Sequence, residues 1–174
     1  MANILQPSDF SNGEYKVPQN CFDSIQSYLD KYEKHYLIKL LGADLYDLFI
    51  ADLVAGVPTS AIYLDIFNEF RVDRTGCVRI SEGIKEMLIQ FCYFHIIRDL
   101  GVKKGIGGVG KYVTEVSESR YDGFNIIEAL NEGIDNAKAI QWYICDNSTD
   151  YPTYNGQYFN YQSGIWEQRF SLIV

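Results

Sequence analysis

Positive charge is scarce in this chain. Its 15 lysines and arginines face 23 aspartates and glutamates, which leaves a formal charge of −8 and an isoelectric point near 4.7. Lysine and arginine supply most of the affinity for nucleic-acid phosphates and for anionic membrane surfaces. Neither surface is therefore expected to be gripped, although DNA can pass an acidic protein without sticking to it. Long hydrophobic runs are missing too. The longest uncharged apolar stretch, Met87 to Ile97, has eleven residues, well short of the roughly 20 that span a bilayer as a helix. The N-terminal MANILQPSDF has no basic segment ahead of an apolar one and does not read as a signal peptide. Cysteine is sparse and scattered (Cys21, Cys77, Cys92, Cys145), with no CxxC pair. With no secretory signal, the expectation is buried free thiols in a reducing cytoplasm. Two histidines and no clustered cysteines give a zinc site little to build on.

What the chain does have is apolar content arranged at helical spacing. With 174 residues and 47% hydrophobic composition, it is long enough to bury one real core. Asn20 is a plausible N-cap, after which Phe22, Ile25, Leu29, Tyr32, Tyr36 and Leu40 recur at intervals of three and four. Gly42 should end that helix. A second helix over about 43–55 carries Leu45, Leu48, Phe49 and Leu53 and stops at Gly56-Val57-Pro58. Thr59 or Ser60 can cap a third, short one through Phe70, and residues 71–80 read as a loop or short extended piece. Ser81 then caps the most hydrophobic helix, about 81–100, which is apolar around nearly its whole circumference and should be central. A last amphipathic helix is expected over about 123–146, with Phe124, Ile127, Leu130, Ile134, Ala137, Ile140 and Ile144 on one face. The fold class is thus mainly α, a bundle of about five helices with a Gly-rich loop or short β segment over 101–121. It occupies 1–147, with an extended aromatic arm over 148–174.

Two segments do not fit a closed bundle. In 101–121, Gly105, Gly107 and Gly110 spell GxGxxG, a fingerprint that binds a dinucleotide only between a strand and the helix that follows it. Here it follows a helix and leads into an extended stretch. The same residues nearly make a phosphate-binding P-loop, but Tyr112 follows Lys111 where a Ser or Thr would be required. A flexible loop built on Gly105, Gly107, Gly108, Gly110 and Lys111 is the better reading, and no cofactor is expected. The second segment, 148–174, holds seven of the chain's 26 aromatic residues. Asn155-Gly156 signals a hairpin turn, and Trp166, Phe170, Leu172 and Val174 alternate as in a strand, with Gln168 out of step. Tyrosine and tryptophan offer broad contact area with a polar handle. Either the tail folds back over the bundle and completes its core or, as this composition favours, Tyr151, Tyr154, Tyr158, Phe159, Tyr161, Trp166, Phe170 and Leu172 are the candidate partner or oligomer contacts.

Catalytic constellations are weak. Cys92, His95 and Asp99 share a helical face, but in so apolar a segment a core cysteine beside a hydrogen-bonded core histidine is the better account. Carboxylates are numerous and scattered, which nominates no acid/base pair. An enzyme is not expected, and neither catalytic nor metal residues are proposed.

Three stretches carry a family resemblance: YLDKYEKHYLIKLLGADLYDLFIADL (28–53), SEGIKEMLIQFCYFHIIRDLGV (81–102) and NEGIDNAKAIQWYI (131–144). Together they resemble the head–tail connector (adaptor) proteins of tailed bacteriophages, most of all in the KLLGADLYDLF step and in the Ser-Glu-Gly start of the hydrophobic helix. The resemblance implies a structural virion protein of the neck, assembled in the bacterial host cytoplasm. Such a subunit forms a homo-oligomeric ring, often of twelve copies, beneath the portal protein, with the next neck or tail protein below it and DNA passing through. It would place 148–174 at the portal or a neighbouring subunit, and the loop 103–120 at the channel or the next ring. The competing expectation is a monomeric helical binding module whose C-terminal tail captures a host or phage protein.

Overall fold

The computed structural model describes residues 4–17, 22–74, 76–100, 102–105, 108–111 and 123–154. Among these the protein is a mainly helical bundle with three small two-stranded sheets. After a 3-10 turn at Pro7–Phe10 come α1 (Phe22–Leu41) and α2 (Ala43–Ala51). A miniature hairpin, β1 (Leu53–Val54) and β2 (Val57–Pro58), leads to α3 (Ala61–Phe67). A longer hairpin, β3 (Phe70–Arg74) and β4 (Cys77–Ser81), precedes α4 (Gly83–Leu100). The pair β5 (Val102–Gly105) and β6 (Gly108–Lys111) precedes α5 (Gly123–Asp146).

The break between α1 and α2 is made by one residue. Gly42 sits at φ 78, a left-handed conformation that costs glycine little. Its N–H closes α1 onto the Ile38 carbonyl (2.9 Å) while its own carbonyl accepts the N–H of Tyr46 (3.0 Å) to start α2. The second helix stops at Ala51, earlier than its apolar pattern predicts. Ala55 (φ 52) and Gly56 (φ 83) are both left-handed and turn the chain in two residues, pairing Val54 with Val57. Positive φ at both central positions is the turn geometry that matches the twist of a tight hairpin. Asp52 closes this unit by accepting N–H donors from Thr59 and Ser60 (both 2.8 Å) and the Ser60 hydroxyl (2.5 Å). Those bonds, the Ser60 pair foremost, hold its carboxyl near pKa 2. Ser60 occupies the N-cap of α3, but its hydroxyl serves Asp52 and not the helix. The third helix ends at Phe67, and the residues expected as a loop or short extended piece are an antiparallel hairpin with Val72 opposite Arg79.

The fourth helix is the centre, as its all-round apolar character predicts. Ile84, Met87, Leu88, Phe91, Cys92 and Ile96 are fully buried, and the helix packs against α1, α3 and α5. Burial of each large apolar side chain contributes about 1.5–3 kcal/mol. Its first residue has no substitute. Gly83 lies at φ 91, and a Cβ there would sit 2.1 Å from the Phe67 carbonyl oxygen. Glu82 and Gly83 are held in turn by side chains: the Glu82 N–H donates to Asn136 Oδ1 (2.9 Å) and the Gly83 N–H to Ser81 Oγ (3.1 Å). The last helix presents Leu130, Ile134, Ala137, Ile140 and Ile144 to the core, and Gly133 lets the Phe91 ring approach within van der Waals contact of its backbone.

Candidate interaction surfaces

The aromatic arm begins inside the bundle. After α5 the chain turns through bonds from the Asp150 N–H to the Asn147 carbonyl (2.9 Å) and from the Tyr154 N–H to the Tyr151 carbonyl (3.0 Å). Tyr151 is 2% exposed and donates its hydroxyl to the Ile62 carbonyl (2.5 Å). Burial pushes its phenol pKa well up. Tyr154 is half-buried and packs on the same core, with its pKa also raised by burial. The first residues of the tail thus fold back onto the bundle. Tyr151 is a core residue whose hydroxyl meets the Ile62 carbonyl of α3, and Tyr154 is partly buried against the same core. The other six contact candidates, Tyr158, Phe159, Tyr161, Trp166, Phe170 and Leu172, lie outside the described residues, as does Gly107.

In the glycine-rich segment the structure takes the short β form of the expectation. Gly105, Gly108, Gly110 and Lys111 are not loop residues: they belong to an antiparallel ladder that pairs Gly105 with Gly108, Lys103 with Gly110 and Val102 with Lys111. Main-chain pairing, which glycine does not forbid, replaces the expected loop. Among the described residues, Gly105 and Gly110 of GxGxxG lie in this strand pair and not at a helix N-terminus, where the dinucleotide fingerprint binds a pyrophosphate.

The Cys92, His95 and Asp99 trio does not converge. Cys92 is fully buried and its thiol pKa is pushed far up by desolvation. His95 stacks on Tyr32 with ring centroids 3.7 Å apart, and its Nε2 lies 2.7 Å from the Tyr36 hydroxyl. Burial, then the nearby Arg98 charge, lowers its pKa to about 4. Asp99 accepts a bond from its neighbour Arg98 (2.8 Å). A buried thiol and a neutral, committed imidazole make a core pair. Cys77, by contrast, is exposed and Cys145 half-buried; Cys77 lies on the hairpin, so the expectation of buried thiols fails there.

Several buried polar residues escaped the sequence reading. Glu33, 6% exposed, accepts the N–H groups of Ile4 and Leu5 (both 3.0 Å), tying the N-terminal segment to α1; desolvation nevertheless raises its pKa. Asn136 donates to Gln90 Oε1 (2.8 Å), Gln90 donates to Glu82 (3.2 Å) and to the Tyr15 hydroxyl (3.3 Å), and Tyr15 donates to Glu132. Burial, with the Glu132 bond second, raises the Tyr15 pKa strongly. Gln90, uncharged in the middle of the most apolar helix, was the available signal. Beside this network Glu14, Tyr15, Tyr93, Glu128, Ala129 and Glu132 line a cleft of about 90 Å³, far below the 300–1,000 Å³ usual for a small-molecule site. Among the described residues no group of three His, Cys, Asp or Glu is placed to hold a metal ion, and no helix is long and apolar enough to cross a membrane.

What remains is the outer surface. Val54 (65% exposed) and Val57 form one apolar area on the β1–β2 turn, and Leu48 is exposed on α2. Ile80 (62%) and Val78 form another on the β3–β4 hairpin. The hairpin's opposite face is anchored to α5 by Arg79 stacked over Trp142 (4.4 Å) and by the Arg74–Asp146 and Arg79–Asp135 pairs (3.3 and 3.6 Å). No family model, curated protein or solved structure matches the chain.

Proposed function

We propose that the chain is a structural ring subunit of a phage neck, an adaptor that joins the portal to the tail and lets DNA pass. The observation that carries the reading is the coincidence of the family-like motifs with structural breaks. The KLLGADLYDLF step is the α1–Gly42–α2 junction, and Ser-Glu-Gly is the junction where Gly83 packs against the end of α3. Both are left-handed glycine positions that join one element to the next. The exposed apolar areas and the acidic surface agree with a subunit that contacts neighbours while giving DNA phosphates little to hold.

The test is co-expression with a portal protein, followed by mass measurement and electron microscopy of the assemblies. A ring of defined stoichiometry, alone or on the portal, is the expected result. A chain that stays monomeric at high concentration and ignores portal refutes it. Removal of 155–174, which leaves Tyr151 and Tyr154 in place, separates the alternative: a monomeric module stays folded and loses a single partner, whereas a ring subunit loses assembly.

A further inference from the structure

Residues 4–17 cross the bundle as a strap. Ile4 and Leu5 are tied to α1 through Glu33, Asp9 pairs with Lys85 of α4 (2.9 Å), and Tyr15 donates to Glu132 of α5. The contact fully buries Leu5, Phe10 and Val17. The seam beneath the strap is acidic on both sides. Glu14 and Tyr15 of the strap share the cleft of about 90 Å³ with Tyr93 of α4 and with Glu128 and Glu132 of α5. Glu82 and Glu86, at the start of α4, add their charges to those of Asp9 and Glu14. Lys85 offsets part of this charge through its pair with Asp9, while Lys16 of the strap is exposed. At the α1 end, the Glu33 carboxylate meets two main-chain N–H groups instead of a cation, with Asp30, Tyr46 and Cys92 as its titratable neighbours.

We propose that this strap is a proton-responsive clasp: the carboxylates on both sides of its seam hold it loosely at neutral pH, and proton uptake by Glu86 and Glu132 on mild acidification draws it closed. Like charges in a partly buried cleft repel, and neutralising one of them removes the repulsion while its oxygens can still hydrogen-bond. The sign follows from what opening changes. In the closed form burial raises the pKa of Glu86, with the charges of Glu82, Glu14 and Asp9 adding and that of Lys85 opposing. Burial likewise raises that of Glu132, with Glu14, Glu128 and Glu82 adding and the Tyr15 bond opposing. Opening the strap takes Asp9 and Glu14 away and lets water in, so the open form binds these protons less readily. Closure therefore gains as pH falls from neutral toward the ordinary carboxylate range. Burial raises Glu33 as well, which acts in the same direction.

The test is hydrogen exchange of the full chain at pH 7.5 and 5.5, with each rate divided by its intrinsic rate at that pH, since local opening of the strap is read by its own amides. Protection over 4–17 should rise several-fold at pH 5.5, with no matching rise in α4. The double variant Glu86→Gln/Glu132→Gln keeps the acceptor for Tyr15 and should lose most of that response. Glu14→Gln, at an exposed site on the strap, should raise strap protection at pH 7.5, and it carries the test if the double variant does not fold. Strap protection that is flat or falls at pH 5.5 overturns the proposal, and an equal rise in α4 marks a global effect and overturns it too. So does a folded double variant that responds as fully as the wild type, or a Glu14→Gln strap no better protected at pH 7.5.

Discussion

His95 should make the protein lose stability on mild acidification, by an amount that can be isolated. Its ring is 8% exposed, sandwiched against Tyr32, with Nε2 held by the Tyr36 hydroxyl and Nδ1 without a hydrogen-bond partner among the described residues. Protonation would bury a charge beside Arg98, and the folded-state pKa falls from the ordinary 6.5 to about 4. The sign follows from which state binds the proton. Above pH 6.5 neither state does, and the fold keeps its full stability. Between 6.5 and 4 the unfolded chain takes up a proton that the folded chain refuses, so stability drops as pH falls, and below 4 the loss levels off. The distance from 6.5 to about 4, at 1.36 kcal/mol per pH unit, gives about 3 kcal/mol. Glu33, Glu86 and Glu132 act the other way, since their raised pKa values favour proton uptake by the folded state. Comparison with His95→Gln, which keeps a polar partner for Tyr36 and does not titrate, cancels those terms. Urea unfolding of both proteins from pH 7.5 to 3.5 should show wild type losing about 3 kcal/mol relative to the variant. A difference that stays flat, or an imidazole resonance titrating above pH 6, would refute the buried neutral histidine.

Gly83→Ala should cost at least about 3 kcal/mol in urea unfolding, because the left-handed backbone alone costs an L-residue roughly 1–2 kcal/mol and its Cβ would overlap the Phe67 carbonyl. Ala55→Asn should raise stability by about 0.5–1 kcal/mol, seen as a higher melting temperature, since Asn tolerates the positive φ that Ala55 is held in. Asn136→Leu should lose about 2–3 kcal/mol, because the Glu82 N–H and Gln90 Oε1 are left without their partner. Tyr151→Ala should cost about 3–5 kcal/mol by analogy with other large-to-small core changes. A chain ending at 147 should melt well below one ending at 154, and equal melting would return 148–154 to the arm.

Helix positions were legible because apolar spacing and glycine breaks are local signals. The last helix follows its apolar face over Gly123–Asp146, and the centrality of α4 follows from an apolar surface with no polar side to turn outward. The errors fall where backbone turns compete with side-chain pattern. Leu53 continues the apolar series of α2, yet Asp52, Ala55 and Gly56 form a turn whose hydrogen bonds come from Thr59 and Ser60, several residues later. Likewise Phe70 extends the stripe of α3, but Asn68 is extended and Phe70 begins a strand paired with Ser81. Spacing alone does not distinguish an apolar residue that prolongs a helix from one that opens the next strand.

The interaction surface was less legible, for a physical reason. An aromatic residue near a terminus looks the same in sequence whether a cleft awaits it or not, and Tyr151 found one beside a carbonyl on α3 that nothing in its own neighbourhood announces. Conversely, Val54 and Ile80 carry ordinary strand-forming side chains, and only the fold shows that each is more than three-fifths exposed. Composition drew attention to the residues richest in contact area, while the tertiary arrangement decides which of them the bundle has already used. A buried tyrosine with its hydroxyl satisfied internally, such as Tyr151, has little left to offer a partner, whereas Val54 keeps most of its side chain at the surface. Exposure and a spent or unspent polar handle, which only the tertiary structure sets, therefore decide how much of a side chain is left for a partner.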